Sequence, residues 1–190
     1  MPDLAALGWD DGWSAEFAEH ETAGLVPARV AVPHRGAYDV LTEDGEVRAG
    51  LPARARRDLE TAELPVVGDW VALDPGGRTP VISAVLPRRT KFSRRAAHEP
   101  GSEDAREQVV AANVDVLFVT LPLSPDPSTR LLERYLTLAW ESGARPVTLL
   151  TKADLAQDAA EVASRIEGQV PVHAISTRTG LGLDDVRSHL

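Results

Sequence analysis

The chain has 190 residues, of which 43% are hydrophobic and 26% are charged, and its formal net charge is −9. This length can bury a core in one large or two small domains, and the composition excludes a disordered or collagen-like chain. The chain has no cysteine, no apolar run of membrane-spanning length and no Lys or Arg in its first twenty positions. We therefore expect no disulfide scaffold, no membrane span and no signal peptide, and we expect a cytoplasmic protein with no membrane partner.

Residues 1–24 form an acidic leader in which three aromatic residues share one helical face. Trp9, Trp13 and Phe17 follow each other at intervals of four residues, which places them on one side of an α-helix. Such a stripe is most often a packing face. We therefore predict a short helix that packs on the rest of the protein and has no chemical role.

Residues 25–92 have the pattern of short strands separated by turns. The predicted strands are residues 26–32, 38–41, 47–51, 66–73 and 81–86. The Asp44-Gly45 pair is a hairpin signal, since these residue types readily adopt the positive φ angles of a tight turn. Five short strands with basic connecting loops predict a closed barrel of the OB type, and an SH3-like barrel is the nearest alternative.

Charge is unevenly distributed around this barrel segment. Residues 1–28 contain six acids and no Lys or Arg, residues 29–95 contain twelve bases and nine acids, and residues 96–190 contain eight bases and fourteen acids. Clustered cations suit a nucleic-acid backbone, because each phosphate contact releases condensed counterions. The alternative is a solvated loop face. The candidate phosphate-binding residues are Arg35, Arg54, Arg56, Arg57, Arg88, Arg89, Lys91, Arg94 and Arg95.

A polar, turn-rich stretch at residues 93–112 predicts a linker between two domains. From residue 113 to 190 the sequence alternates between strands and helices. The predicted strands are residues 114–121, 146–150 and 170–175, and the predicted helices are residues 128–142, 155–166 and 183–190. This order is typical of a doubly wound α/β domain. Ligands of such domains bind outside the carboxyl ends of the strands, so polar residues there are the candidate binding residues.

Two polar loops follow the second and third of these strands. They are Thr151-Lys152-Ala153-Asp154 and Ser176-Thr177-Arg178-Thr179-Gly180. An ionised Asp154 accepts two hydrogen bonds, which matches the adjacent ring N–H and exocyclic NH₂ of guanine and does not match adenine. The Lys152 stem can lie along the base plane, and a backbone N–H near Ser176 or Thr177 can donate to the exocyclic oxygen. The alternative for either loop alone is a helix cap.

These loops and four other segments resemble one protein family. Thr151-Lys152-Ala153-Asp154 matches the Asn-Lys-x-Asp base-recognition motif of GTPases, and Ser176-Thr177-Arg178 stands in the place of their Ser-Ala-Lys loop. The other segments are residues 67–71, 87–90, 107–115 and 132–136. Together, over residues 24–190, they resemble the circularly permuted, ribosome-dependent GTPases of the RsgA (YjeQ) type.

This resemblance implies a two-domain α+β fold, in which an OB-type barrel at residues 25–92 precedes part of a circularly permuted, doubly wound GTPase-like domain at residues 113–190. It implies a GTP hydrolase of late small-subunit (30S) maturation, whose barrel contacts small-subunit rRNA through the phosphate-binding candidates. We expect a monomer with the small ribosomal subunit as its partner. The residues that would bind GTP or GDP are Thr151, Lys152, Asp154, Ser176 and Thr177.

The sequence departs from the family pattern in its loops and in its motif content. Thr151 and Thr177 replace the usual Asn and Ala, and we expect guanine recognition to survive, because the contact at Thr177 uses a backbone N–H. No Gly-x-x-x-x-Gly-Lys-[Ser/Thr] phosphate loop and no cysteine for the family's zinc module occur.

We therefore expect the N-terminal portion of a longer protein, which holds no metal, carries no identified catalytic group and binds nucleotide weakly without turnover. Mg²⁺ is expected only with the phosphate loop, and zinc only with the family's C-terminal domain. The alternative function is a non-catalytic RNA-binding OB module with an α/β interaction domain.

Overall fold

The computed structural model describes residues 3–53, 62–95, 107–123, 127–166, 168 and 170–190. The chain divides into two compact units, which cover residues 1–113 and 114–190. The division lies beside residue 113, where the sequence predicts the second domain to begin.

The first unit is built on a closed five-stranded barrel. Its strands are β1 (Val26–Pro33), β2 (Ala37–Thr42), β3 (Gly45–Gly50), β4 (Trp70–Asp74) and β5 (Val81–Val85). They pair in the order β1-β2-β3-β5-β4, and β4 pairs with β1 to close the barrel. The β3–β5 pair is parallel and the other pairs are antiparallel. This arrangement confirms the predicted OB-type barrel.

Strand β4 is buried on both of its faces. One face contributes Val71 and Leu73 to the barrel core, whose buried members are Ala28, Val30, Tyr38, Val40, Ala49, Val71, Leu73 and Ile82. The other face contributes Trp70 and Ala72 to a second cluster, in which they pack with Trp13, Phe17 and Leu86. Burial on two sides explains why this strand is an almost continuous apolar run in the sequence.

The acidic leader is the layer that covers the outer face of β4. After a short 3-10 turn (Ala5–Leu7), helix α1 (Asp11–Thr22) begins at Asp10, whose side chain accepts a hydrogen bond from the Trp13 N–H at 2.9 Å. Trp13 and Phe17 are buried, and the Trp9 ring lies edge-on to Trp70 with centroids 4.7 Å apart. The predicted packing helix is confirmed.

Strands β6 (Lys91–Arg95) and β7 (Glu107–Ala112) occupy the described parts of the predicted linker. They pair antiparallel, from Lys91 opposite Ala112 to Arg95 opposite Glu107. The polar composition of Lys91–Arg95 hides the first of these strands from a local pattern. Its pairing depends on a partner more than ten residues away in the sequence.

Asn113 connects three segments of the first unit. Its N–H donates to the Thr90 carbonyl (2.8 Å), its Oδ1 accepts from the Arg89 N–H (2.9 Å), and its Nδ2 donates to the Gly68 carbonyl (3.1 Å). Gly68 has a φ of +89°, and a Cβ there would overlap the carbonyl oxygen of Ala112. Parts of the segments 67–71, 87–90 and 107–115 therefore meet at one place.

The second unit is a parallel sheet with helices on both faces. Strands β8 (Val116–Pro122), β9 (Arg145–Thr151) and β10 (Val172–Ala174) lie in the order β10-β9-β8. Helices α2 (Thr129–Ser142) and α3 (Ala159–Ile166) pack with Leu121 and Leu150 on one face. Helix α4 (Leu183–Arg187) packs with Val147 and Leu149 on the other. This confirms the predicted doubly wound architecture.

The helix boundaries of this unit follow local signals. Ser128 caps α2 by accepting from the Leu131 N–H at 3.3 Å, and Gly143 ends it with a φ of +84°. Helix α3 is shorter than the predicted 155–166, because residues Ala153–Leu155 form a separate 3-10 turn directly after β9.

Candidate functional site

The two polar loops of the second unit lie side by side at the carboxyl edge of the sheet. Strands β9 and β10 are parallel neighbours. Beyond them, the Ile175 N–H donates to the Leu150 carbonyl at 2.8 Å, and the Ala153 N–H donates to the Ile175 carbonyl at 3.0 Å. These bonds extend the pairing of the strands into the loops, so the first residues of both loops are fixed relative to each other.

A carboxylate held by a buried hydroxyl lies where the loops meet. The Ser176 Oγ donates to Asp154 Oδ1 at 2.7 Å. Ser176 is only 1% exposed, and the Asp154 side chain is 15% exposed. Arg178 Nη1 lies 3.8 Å from Asp154 Oδ2, and the Arg178 side chain is 81% exposed. The buried Ser176 hydroxyl therefore orients the carboxylate through Oδ1, while the exposed Arg178 guanidinium lies near Oδ2.

The loop after β10 is shaped by hydrogen bonds to Ser176. The Ser176 N–H donates to the Leu181 carbonyl (3.0 Å), and the Ser176 carbonyl accepts from the Gly180 N–H (2.9 Å). Gly182 closes the loop with a φ of +69°, and a Cβ there would lie 2.5 Å from the Ala174 carbonyl oxygen. Because the amide of Ser176 is used within the loop, the amide of Thr177 is the better of the two predicted donors to a base.

The loop after β9 turns sharply at Lys152. This residue has a left-handed backbone, with φ +61° and ψ +37°, which few residues other than glycine adopt without cost. Its side chain is exposed, whereas the next residue, Ala153, is buried. The turn therefore places the lysine stem at the surface beside Asp154 and anchors the loop through Ala153.

Thr151 braces the same loop to strand β8. Its Oγ1 donates to the Leu121 carbonyl at 3.3 Å, and its carbonyl accepts from the Leu123 N–H at 2.9 Å. The residue that replaces the family's usual Asn thus ties the loop to strand β8 through its hydroxyl and its carbonyl. The structure brings together all five residues predicted to bind guanine, and their role remains a prediction. Arg178, which was assigned no role from the sequence, joins them.

Arg88, one of the predicted phosphate-binding residues, is largely buried in the first unit and not exposed at its surface. Arg88 is only 14% exposed, and Asp69, its partner, is fully buried. The guanidinium donates to Asp69 from Nε and Nη2, both at 2.8 Å. It also donates to the carbonyls of Ala62 (2.6 Å) and Leu64 (2.8 Å). These bonds argue against the predicted phosphate contact for Arg88, because its donors are used inside the unit.

Two further cations of the cluster are paired at the surface. Arg89 makes a bidentate ion pair with Asp10, at 2.6 and 2.8 Å. Lys91 Nζ lies 2.9 Å from Glu107 Oε1. Ser93 and Lys91 lower the pKa of Glu107. Three cations of the cluster, Arg88, Arg89 and Lys91, are therefore paired with acids of the same unit.

The remaining candidates divide into exposed residues and residues outside the described ranges. Arg94 donates to Gln108 Oε1 at 3.1 Å, and Arg35 is exposed in the turn between β1 and β2. For Arg95 the structure describes only the backbone. Arg54, Arg56 and Arg57 lie outside the described residues.

Arg78 is a cation at the barrel surface that sequence reasoning missed. It is exposed in the turn between β4 and β5. The turn begins and ends at the paired residues Asp74 and Val81. Across the barrel, Val81 pairs with Gly50, and Gly50 pairs with Ala37, the first residue of β2. The β4–β5 turn and the β1–β2 turn, which carries Arg35, therefore lie at the same end of the barrel. Arg78 was not a candidate in the sequence because no other Lys or Arg lies close to it along the chain.

The described residues provide no group of three or more His, Cys, Asp or Glu side chains that could hold a metal ion. In the same part of the chain, no helix is both long enough and apolar enough to span a membrane.

Comparison with known proteins decides the family. Residues 85–190, more than half of the chain, match the family model described as RsgA GTPase. The chain belongs to the RsgA GTPase family. It is 40% identical over 187 residues to a "Small ribosomal subunit biogenesis GTPase RsgA" of Streptomyces coelicolor, covering 95% of this chain and 50% of the relative. It is 42% identical over 195 residues to the RsgA of Opitutus terrae, covering 95% and 52%.

Two solved structures extend the comparison to the fold. YjeQ from Thermotoga maritima superposes with a TM-score of 0.67 at 25% identity, covering 87% of this chain and 57% of that one. YloQ, described as a circularly permuted GTPase, has a TM-score of 0.62 at 19% identity, covering 87% and 55%, and shows the fold alone. The chain spans about half the length of the curated RsgA relatives it matches.

Proposed function

We propose that this chain carries the guanine-recognition site of a GTPase that acts in small-ribosomal-subunit biogenesis. The observation that carries the proposal is the Asp154 carboxylate, held by the buried Ser176 hydroxyl where two loops meet at the carboxyl edge of the sheet. Relatives at about 40% identity are named as GTPases of this process. GTP or GDP is the proposed ligand, and cytoplasm the proposed location.

The geometry supports a separate proposed task for each residue of the site. Ser176 donates to Oδ1 and so fixes the plane of the Asp154 carboxylate, whose oxygens accept from the ring N–H and exocyclic NH₂ of guanine. The Thr177 N–H is the proposed donor to the exocyclic oxygen. Lys152 supplies an apolar stem for one face of the base, and Thr151 holds the loop to β8.

Asp154→Asn should lower the affinity for GDP by about ten-fold to one hundred-fold, because an amide replaces one of two charge-assisted acceptors with a donor. Affinity for xanthosine diphosphate should rise, since xanthine presents an oxygen in place of the exocyclic NH₂. The measurement is an NMR titration of the 190-residue chain with GDP, ADP and xanthosine diphosphate.

Asp158→Asn is the matched control, because Asp158 is an exposed acid of the same unit that lies outside the two loops. It should leave all three affinities unchanged. Equal affinity of the unmodified chain for GDP and ADP, or an unchanged preference in Asp154→Asn, would refute the guanine assignment.

The first unit is proposed to contact small-subunit rRNA through one end of its barrel. This end carries Arg35 and Arg78 in the β1–β2 and β4–β5 turns, and these are the turns with which OB barrels bind oligonucleotides. We leave Arg88 out of the proposed surface, because its guanidinium bonds to Asp69 inside the unit. The proposed RNA surface is therefore smaller than the sequence cluster suggests and is displaced from it.

Reversing both charges, with Arg35→Glu and Arg78→Glu together, should weaken binding to small-subunit rRNA and flatten its salt dependence. The slope of log K against log salt should fall by roughly 0.7 to 0.9 for each RNA phosphate that the protein no longer neutralises. Filter binding at several salt concentrations measures the slope.

The control is the equally charged pair Arg130→Glu and Arg134→Glu on α2. Equal effects of the two double variants would mean that only net charge matters, and would refute the barrel-end surface. RNA binding without any guanine preference would favour the alternative of a non-catalytic RNA-binding module.

A further inference from the structure

Arg89 is held by the leader in the geometry that an arginine uses for a phosphate. Its Nη1 and Nη2 lie 2.6 and 2.8 Å from the two carboxylate oxygens of Asp10. This is the paired fork arrangement that guanidinium groups make with carboxylates and phosphates alike. The guanidinium carbon also lies 4.0 Å from the centroid of the Trp13 ring, so one flat face of the cation is covered by the leader.

The position of Arg89 is fixed from the barrel side and from the leader side. Its backbone N–H donates to Asn113 Oδ1 at 2.9 Å. On the leader, a Cβ at Gly12 would lie 2.5 Å from Arg89 Nη2, so the glycine leaves room for the guanidinium over the start of α1. The site is therefore shaped around this side chain.

The pair is nevertheless accessible to a competing anion. The side chains of Arg89 and Asp10 are 41% and 54% exposed, in contrast to the buried Arg88–Asp69 pair next to it. Exposed ion pairs contribute little to stability, so a phosphate can take the place of the carboxylate. The bonds from Arg89 hold the pKa of Asp10 well below its usual range, so the charge that pairs with Arg89 persists to a lower pH than that of an ordinary aspartate.

Asp10 can release Arg89 without releasing the leader. Its Oδ1 caps α1 through the Trp13 N–H at 2.9 Å. The helix itself is held by Trp13 and Phe17, which are buried against β4 and Leu86. Exchange of the ion pair therefore requires only a local change of side chains.

We propose that the Asp10 carboxylate occupies a phosphate-binding position at Arg89 and competes there with an RNA phosphate. The acidic leader would thereby limit the affinity of the first unit for RNA. The inference rests on the proposed RNA contact of the barrel. It adds Arg89 as a phosphate site that is occupied by the protein's own carboxylate until RNA displaces it.

Asp10→Asn tests this directly, because asparagine caps a helix as well as aspartate does and removes only the charge. At low salt, affinity for small-subunit rRNA should rise about two- to five-fold, the range expected when one exposed ion pair no longer competes. The salt slope should become steeper by about 0.7 to 0.9. Asp10→Ser, which also caps and carries no charge, should show the same gain.

Asp11→Asn is the matched control, since it removes the same charge from the neighbouring exposed position. The gain of Asp10→Asn should exceed that of Asp11→Asn and should vanish when Arg89→Gln is added. Equal gains at positions 10 and 11, no gain at position 10, or a gain that persists without Arg89 would each overturn the inference. If the unmodified chain binds RNA and Asp10→Asn does not change its affinity, only the competition by Asp10 is refuted. If no variant binds RNA, the proposed RNA contact is refuted and the inference with it.

Discussion

Arg88→Met should destabilise the first unit by about 3 to 5 kcal/mol, the usual range when one partner of a buried ion pair is removed. Asp69 is fully buried, and without Arg88 its charge would have no counter-ion. The carbonyls of Ala62 and Leu64 would lose their donor as well. Urea unfolding followed by tryptophan fluorescence measures the change, in a Trp140→Phe background that leaves only the three tryptophans of the first unit.

Lys91→Met is the control for this prediction, since the Lys91–Glu107 pair is exposed on both sides and should contribute less than about 1 kcal/mol. A second variant, Arg88→Met with Asp69→Leu, should recover part of the lost stability, because it removes the unpaired charge as well. Equal effects of Arg88→Met and Lys91→Met would show that the buried pair has no special role and would restore Arg88 as a candidate for RNA.

Gly68→Ala should also cost about 2 to 4 kcal/mol, and for two separate reasons. The residue has a φ of +89°, which disfavours any side chain, and a Cβ would overlap the Ala112 carbonyl oxygen. The first effect contributes about 1 kcal/mol, and the overlap adds the cost of overpacking against backbone. The same urea unfolding experiment measures the sum.

Gly24→Ala separates the two contributions. Gly24 has a similar φ of +77°, and a Cβ there would meet no atom within 4 Å. This variant should therefore show the backbone cost alone. If both variants lost the same stability, the close approach of residue 68 to Ala112 would carry no energetic weight.

The parts of the fold that the sequence predicted well are those with local signals. Strand periodicity and the Asp44-Gly45 turn indicated the barrel, and the Trp9, Trp13 and Phe17 spacing indicated a packing helix. The meeting of the two polar loops was also predictable, since parallel strands bring their carboxyl ends to one edge. The pairing of Ser176 with Asp154 specifically could not be read from spacing, because it depends on which side chain of the second loop points inward.

The basic cluster shows why the remainder was not predictable. Arg88 and Arg89 are adjacent and look equivalent in the sequence, yet one is buried against Asp69 and the other is exposed against Asp10. Their partners lie 19 and 79 residues away. One signal was available: Asp69 is a lone acid beside an apolar strand, and a buried acid requires a cationic partner.

Because strand β4 packs against both the leader and the barrel core, substitutions in the leader and in the barrel should be coupled during evolution. A barrel strand with an aqueous outer face would tolerate polar residues at alternate positions, whereas Trp70 and Ala72 are buried outside the barrel and Val71 and Leu73 inside it. Sequence drift in β4 should therefore be constrained at consecutive positions. Substitution of Trp13 or Phe17 should lower the stability of the barrel, although neither residue belongs to any of its strands.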